Sequence, residues 1–183
     1  MTIRNEQKDA YMVLGYACNH RCSCCPCGKD QVADAVFPRE RIAREIADVA
    51  ARQVTDVTLS GGEPTIHPDF LWAVGELLDR GIALHLLTNG DRFSDPAFAD
   101  AFIALARGRN VSVTTTFHSH QAQQHEASNG VKGSFGRSLA GLTYLDQHGI
   151  NVAVKHCLTG CNYRDLPAFL RFVTAHFSRN AEI

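Results

Sequence analysis

Apolar positions fall along this chain in two rhythms that take turns. Short β-branched or apolar runs at 11–17, 54–60, 82–88, 110–117 and 150–158 predict five strands. Stretches at 38–52, 68–80, 95–107, 134–148 and 164–177 repeat their apolar residues every three to four positions and predict five helices. Ile42, Ile46 and Val49 share one helical face, and Phe70, Leu71, Val74, Leu77 and Leu78 share another. Pro38 suits a helix start, while Gly81 and Gly149 suit helix ends. The polar, His-rich stretch up to Gly133 predicts no element.

Five βα units with short connections imply an α/β fold, a parallel sheet with helices packed outside it and right-handed crossovers. No linker or low-complexity tract interrupts them, so residues 1–183 read as a single domain. Periodicity alone does not separate an open sheet from a partial barrel. In either, ligands sit beyond the carboxyl ends of the strands. The unusual residues of this sequence fall there: five cysteines after the first strand, Gly61-Gly62-Glu63-Pro64-Thr65 after the second and Thr88-Asn89-Gly90 after the third. His118 and His120 follow the fourth strand, and Cys157 and Cys161 end or follow the fifth. That clustering on one rim is the pattern of one active site.

Composition narrows the class. Of 183 residues 45 % are hydrophobic and 20 % charged, which is ordinary for a globular domain, and one core is expected. A net charge of −1 without a basic run gives no electrostatic surface for nucleic acid or membrane. The N-terminal residues are polar, unlike a signal peptide, and no apolar run approaches the roughly 20 residues of a membrane helix. A cytoplasmic protein is expected. In a reducing compartment the seven cysteines point to metal or redox chemistry ahead of disulfides.

The segment CNHRCSCCPCG, 18–28, offers Cys18, Cys22 and Cys25 in a CxxxCxxC spacing. Three thiolates from one loop would leave one iron of a four-iron cluster without a protein ligand, open to a cofactor. A second register competes: Cys22/Cys25 and Cys24/Cys27 are overlapping CxxC pairs that would suit zinc, with histidines as further ligands. Cys24 and Cys27 could also remain unligated thiols.

The CxxxCxxC loop at the end of the first strand, Asn19 after its first cysteine and the GGEP segment 61–64 after the second strand together resemble the radical S-adenosylmethionine (radical SAM) superfamily, over nearly the whole chain. The resemblance implies a partial (βα) barrel of the radical SAM type. It implies a [4Fe-4S] cluster held by Cys18, Cys22 and Cys25, with S-adenosylmethionine chelated on the fourth iron and cleaved reductively to a 5′-deoxyadenosyl radical that abstracts hydrogen from substrate. It also assigns Gly61, Gly62, Glu63 and Pro64 to the cofactor's amino group, and places Thr88 and Asn89 near the cofactor. An electron donor such as flavodoxin or ferredoxin is implied as a partner. Two positions depart from the family: Cys24 stands where an aromatic is common, and Cys27 adds a thiol.

Other rim residues are weaker candidates. Thr116 offers a polar contact to the cofactor. Lys155 alternates with Val152 and Val154 and needs an anionic partner such as the cofactor's carboxylate. His118 and His120 could face substrate as acid/base groups. His125-Glu126 resembles a remnant of a family segment that carries a nearby Arg, with Asn129 standing where that Arg is expected. Cys157, inside an apolar strand, is expected to be a small buried hydrophobe; Cys161 is the better ligand candidate. The chain ends where a sixth strand is expected, so an uncovered strand edge and a partner that covers it are expected. Segment 133–166 is similar to peptide-maturase relatives, which suggests a peptide or protein substrate. A radical activase, a small-molecule radical enzyme, and a zinc- or cluster-binding interaction module without catalysis are the alternatives.

Overall fold

The computed structural model describes residues 8–25, 36–160 and 162–177. Its strands are β1 (Asp9–Val13), β2 (Asp56–Ser60), β3 (Ala83–Leu87), β4 (Val111–Thr116) and β5 (Asn151–Lys155). They form one parallel sheet in chain order, with Tyr11, Thr58, His85 and Ser112 in one row across it. The helices are α1 (Arg39–Ala51), α2 (Phe70–Asp79), α3 (Pro96–Ala106), α4 (Ala122–Asn129), α5 (Ser134–Gln147) and α6 (Leu166–His176).

Chain-order pairing decides between open sheet and barrel. Crossovers to a neighbouring parallel strand are right-handed, so with no reversal of strand order the crossover helices fall on the same face. Burial agrees. Met12, Val57, Leu59, Leu84, Leu86, Val113, Val152 and Val154 enter one core with Ile42, Ile46, Phe70, Val74, Leu77, Leu145 and Val173 from the helices. Each such side chain contributes about 1.5–3 kcal/mol by leaving water. Phe70, Phe93, Phe98 and Phe102 pack ring on ring with centroids 5.0 to 6.0 Å apart. The alternate strand positions, Tyr11, Thr58, His85, Ser112 and Ala153, face the other way and keep solvent contact. A doubly wound sheet would bury both faces. This sheet has a polar inner wall, that of a partial barrel whose free ends are β1 and β5.

Element boundaries shift where tertiary bonds compete. β1 leaves its ladder at Val13, four residues before the apolar run ends. There the chain turns to the segment after β2: Gly62 N–H donates to Gly15 O at 3.0 Å and Glu63 N–H to Ala17 O at 2.8 Å. Helix α4 was unpredictable from periodicity because AQQHEASN has no apolar stripe; its buried positions are His125 and Asn129. α6 starts after a 3-10 turn at Tyr163–Asp165. Among the described residues no helix is long and apolar enough to cross a membrane.

Candidate active site

The loops beyond the strand ends enclose a cavity of about 270 Å³. Cys18, Cys22, Cys24 and Cys25 line it from the β1 loop, Gly62 and Glu63 from beyond β2, and Thr88 and Asn89 from beyond β3. Thr116, His118, Lys155 and Cys157 complete it from β4 and β5. Of the residues expected here, Gly61, Pro64 and His120 do not line it, and Cys27 and Cys161 lie outside the described residues. A larger groove between β1 and α1 holds no cysteine.

The glycine pair serves the fold first. A Cβ on Gly62 would overlap the carbonyls of Ala17 and Tyr16, and one on Gly61, whose φ is +129°, would overlap that of Gly15. Only glycine lets the approach to the cysteine loop lie this close to the segment after β2. Pro64 then opens a buried 3-10 turn, Pro64–Ile66.

Glu63 is the hub of this side. Its buried carboxylate accepts from Thr65 N at 3.1 Å, Thr65 Oγ1 at 2.6 Å, Thr88 Oγ1 at 2.6 Å and Asn89 N at 2.6 Å. Burial raises its pKa, against the pull of those four donors. Asn89 reaches onward: its Nδ2 donates to Asn19 Oδ1 at 2.7 Å, and its Oδ1 accepts from Asp91 N at 3.0 Å. The rims after β1, β2 and β3 are thus one hydrogen-bonded unit.

The cysteine loop is pinned at two further points. Arg21 N donates to Asn129 O at 2.8 Å and Ser23 N to Ser128 O at 2.9 Å, satisfying carbonyls at the end of α4. Asp91 takes Asn19 Nδ2 at 3.4 Å, His20 Nε2 at 3.5 Å, and Arg137 Nε and Nη2 at 2.9 and 3.0 Å. Burial alone would raise the Asp91 pKa, yet the His20 and Arg137 bonds bring it below the ordinary carboxylate value. Asp91 and Arg137 were not identified from sequence. The only hint was Asp91 directly after Asn89-Gly90; nothing in the sequence pairs it with an arginine 46 positions on.

The opposite wall is chemically unfinished. Burial, then the neighbouring Cys18, Cys24 and Cys25, pushes the Cys22 thiol up to about 12. Crowded thiols are the donor set a thiophilic cationic group needs, and binding it displaces their protons. Among the described residues no three His, Cys, Asp or Glu side chains converge on a single point. His125 accepts from His118 N at 3.3 Å through Nδ1, which leaves Nε2 as a buried donor with no partner. Burial, with His118 and His20 nearby, lowers its pKa to about 4, so the ring is neutral. His118 is lowered as well, first by burial. Lys155, exposed at the end of β5, has no ion pair among the described residues. An orphaned donor, an unpaired ammonium and glycine-lined backbone suit an anionic, hydrogen-bonding ligand beside the thiols.

Cys157 corrects an expectation. It is exposed, because β5 ends at Lys155 and the apolar run 150–158 overshoots the strand. Its pKa is raised by this partial burial and by the nearby Cys24 thiol.

A parallel, singly wound α/β sheet with a thiol-lined cavity at its carboxyl rim defines the class. The sequence profile of the Radical SAM superfamily matches residues 12–173, and the chain belongs to that superfamily. It is 31 % identical over 144 residues to mycofactocin maturase MftC of Mycolicibacterium smegmatis, covering 76 % of this chain and 34 % of that protein. A probable GTP 3′,8-cyclase of Thermococcus kodakarensis is 31 % identical over 121 residues, covering 66 % and 38 %. This chain therefore spans little more than a third of the curated relatives it matches. Among solved structures, Streptococcus suis SuiB superposes with a TM-score of 0.73 at 14 % identity, over 97 % of this chain and 43 % of SuiB. SuiB has also been solved with S-adenosylmethionine and with its precursor peptide SuiA, at TM-scores of 0.72 and 0.73.

Proposed function

We propose that residues 1–183 form a single radical SAM core domain, part of an enzyme that acts on a peptide or protein side chain. The observation that carries this reading is that Cys18, Cys22 and Cys25 line one cavity with Gly62, Thr116 and Lys155. In this reading those three thiolates hold a [4Fe-4S] cluster. The cluster and S-adenosylmethionine together supply reductive cleavage to a carbon radical that takes hydrogen from substrate. The chain's own residues bind and orient. Gly62 lets the approach to the cysteine loop lie against the segment that faces the cofactor's amino end, and Glu63 keeps Thr88 and Asn89 in place around it. Lys155 pairs with the cofactor's carboxylate, Thr116 adds a hydroxyl contact, and His125 Nε2–H donates to an oxygen of the cofactor. A one-electron donor of the flavodoxin or ferredoxin type and a partner over the free edge of the sheet complete the proposal. Peptide substrates are favoured because MftC is named a maturase and SuiB has been solved bound to the precursor peptide SuiA.

The test is electron paramagnetic resonance of anaerobically reconstituted, reduced protein, with and without S-adenosylmethionine. A four-iron signal that shifts on adding the cofactor is expected, and Lys155→Ala should weaken that shift. Zinc uptake without iron, or a cluster signal indifferent to the cofactor, would sink the reading.

A further inference from the structure

A buried carboxylate stands behind the cysteine loop and bonds to the two residues that follow Cys18. Asp91 is 7 % exposed and His20 8 %. Asp91 accepts Asn19 Nδ2 at 3.4 Å and His20 Nε2 at 3.5 Å. From the other side Arg137 of α5 donates to both of its oxygens, from Nε at 2.9 Å and Nη2 at 3.0 Å, and this two-point contact fixes its aim. Asn19 is held a second time, its Oδ1 accepting from Asn89 Nδ2 at 2.7 Å. Residues 19 and 20 are thus fastened by their side chains, and the turn they make carries one bond more. The backbone N–H of His20 donates to Cys18 Sγ at 3.3 Å.

We infer that His20 and Asp91 are positioning residues. Asp91, braced by Arg137, holds the His20 side chain so that the His20 N–H stays on Cys18 Sγ, and that bond sets how readily the group held by the thiolates takes an electron. The effect on reduction rests on the proposed function, which makes that group a four-iron cluster; the brace itself does not. Its sign follows from charge. Hydrogen bonds to the sulfurs are one of the protein's controls on cluster potential. An added electron makes those sulfurs more negative, so a donor stabilises the reduced form more than the oxidised one, and loosening the donor makes reduction harder. A donor on a slack loop would act only part of the time, and an outer ring of bonds keeps it in place. Arg137 has a second task. An unpaired carboxylate this close would repel the added electron, and the guanidinium offsets it.

The test compares the full 183-residue chain with two variants. His20→Ala keeps the backbone N–H but drops the hold on Asp91, while the amide of His20→Gln can still donate to Asp91. After anaerobic reconstitution with iron and sulfide, reduction would be followed by electron paramagnetic resonance at set potentials, without S-adenosylmethionine. His20→Ala should be reduced about tenfold less readily, a midpoint about 59 mV lower for one electron. His20→Gln should recover most of that loss, and because glutamine brings no charge, recovery separates holding from charge. In the metal-free chains, the amide of position 20 should exchange with solvent about tenfold faster in His20→Ala than in the other two, each relative to its intrinsic rate by NMR. An unchanged midpoint in His20→Ala, or an equal fall in both variants, overturns the inference. So does equal protection of that amide in all three chains. Failure of the unmodified chain to take up iron counts against the proposed function alone, and amide exchange still decides the brace.

Discussion

After β2 and β3, Glu63, Thr65, Thr88 and Asn89 satisfy one another, and the chain leaves their polar groups paired before any ligand arrives. Across the cavity, beyond β1, β4 and β5, the opposite holds. Four thiols crowd together, the His125 Nε2–H has no acceptor, and Lys155 has no counter-ion among the described residues. The contrast separates two jobs that one rim performs. A paired network holds geometry without help, because each buried bond lost would cost free energy. On the other wall, the His125 Nε2–H and Lys155 keep their bonding capacity for what binds there. Removing a residue from the first half should cost stability, and removing one from the second should cost binding.

Glu63→Ala should show the largest effect on stability, since it strands three buried donors and the half-buried Asn89 N–H at once. About 3–5 kcal/mol of unfolding free energy should be lost by chemical denaturation. A cost under about 1 kcal/mol would mean the two halves are not distinct in this way.

Acid should act next, through the unpaired half. His125 has a folded pKa of about 4 against an unfolded value near 6.5. Protons therefore bind the unfolded chain first, so stability is full above pH 6.5 and falls as pH drops toward 4. His118 shifts the same way, and a loss of roughly 2–3 kcal/mol by pH 4 is expected. Denaturant titrations across that range, with His125→Gln flattening the slope, check it.

Gly62→Ala joins the two halves. Its new Cβ must push back the Ala17 and Tyr16 carbonyls, at a cost of about 1–3 kcal/mol. The displaced cysteine loop should also take up less iron on reconstitution. Iron uptake equal to the unmodified chain would detach the cysteine loop from the GGEP segment.

Cys25→Ser should barely move stability, within about 0.5 kcal/mol for an exposed side chain. It should nonetheless abolish the four-iron signal. A large loss of stability with the iron retained would reverse the assignment of the two halves.

Much of this molecule was legible from local pattern. Among the described residues, the β-branched and apolar runs located every strand within a few residues, and the 3.6-residue rhythm located five of six helices, because both report side chains turned toward one core. Helix α4 escaped because its buried face is polar, His125 and Asn129. The cysteine spacing and the GGEP segment were visible as motifs and fell on the rim that strand–helix alternation required. Cys157 was misjudged because an apolar run does not say where hydrogen-bonded pairing stops, and β5 stops at Lys155.

What sequence alone determined about this protein is therefore the alternation, the superfamily motif and the rim where chemistry gathers, since each depends on residues near one another in the chain. Tertiary structure decided the rest. It turned Glu63 from a free carboxylate into the anchor of Thr88 and Asn89, set Asp91 between His20 and Arg137, and brought Cys24 Sγ to 4.0 Å from His118 Nδ1. Each of those contacts joins residues far apart in sequence, and hydrogen bonding at that range leaves no periodic trace along the chain.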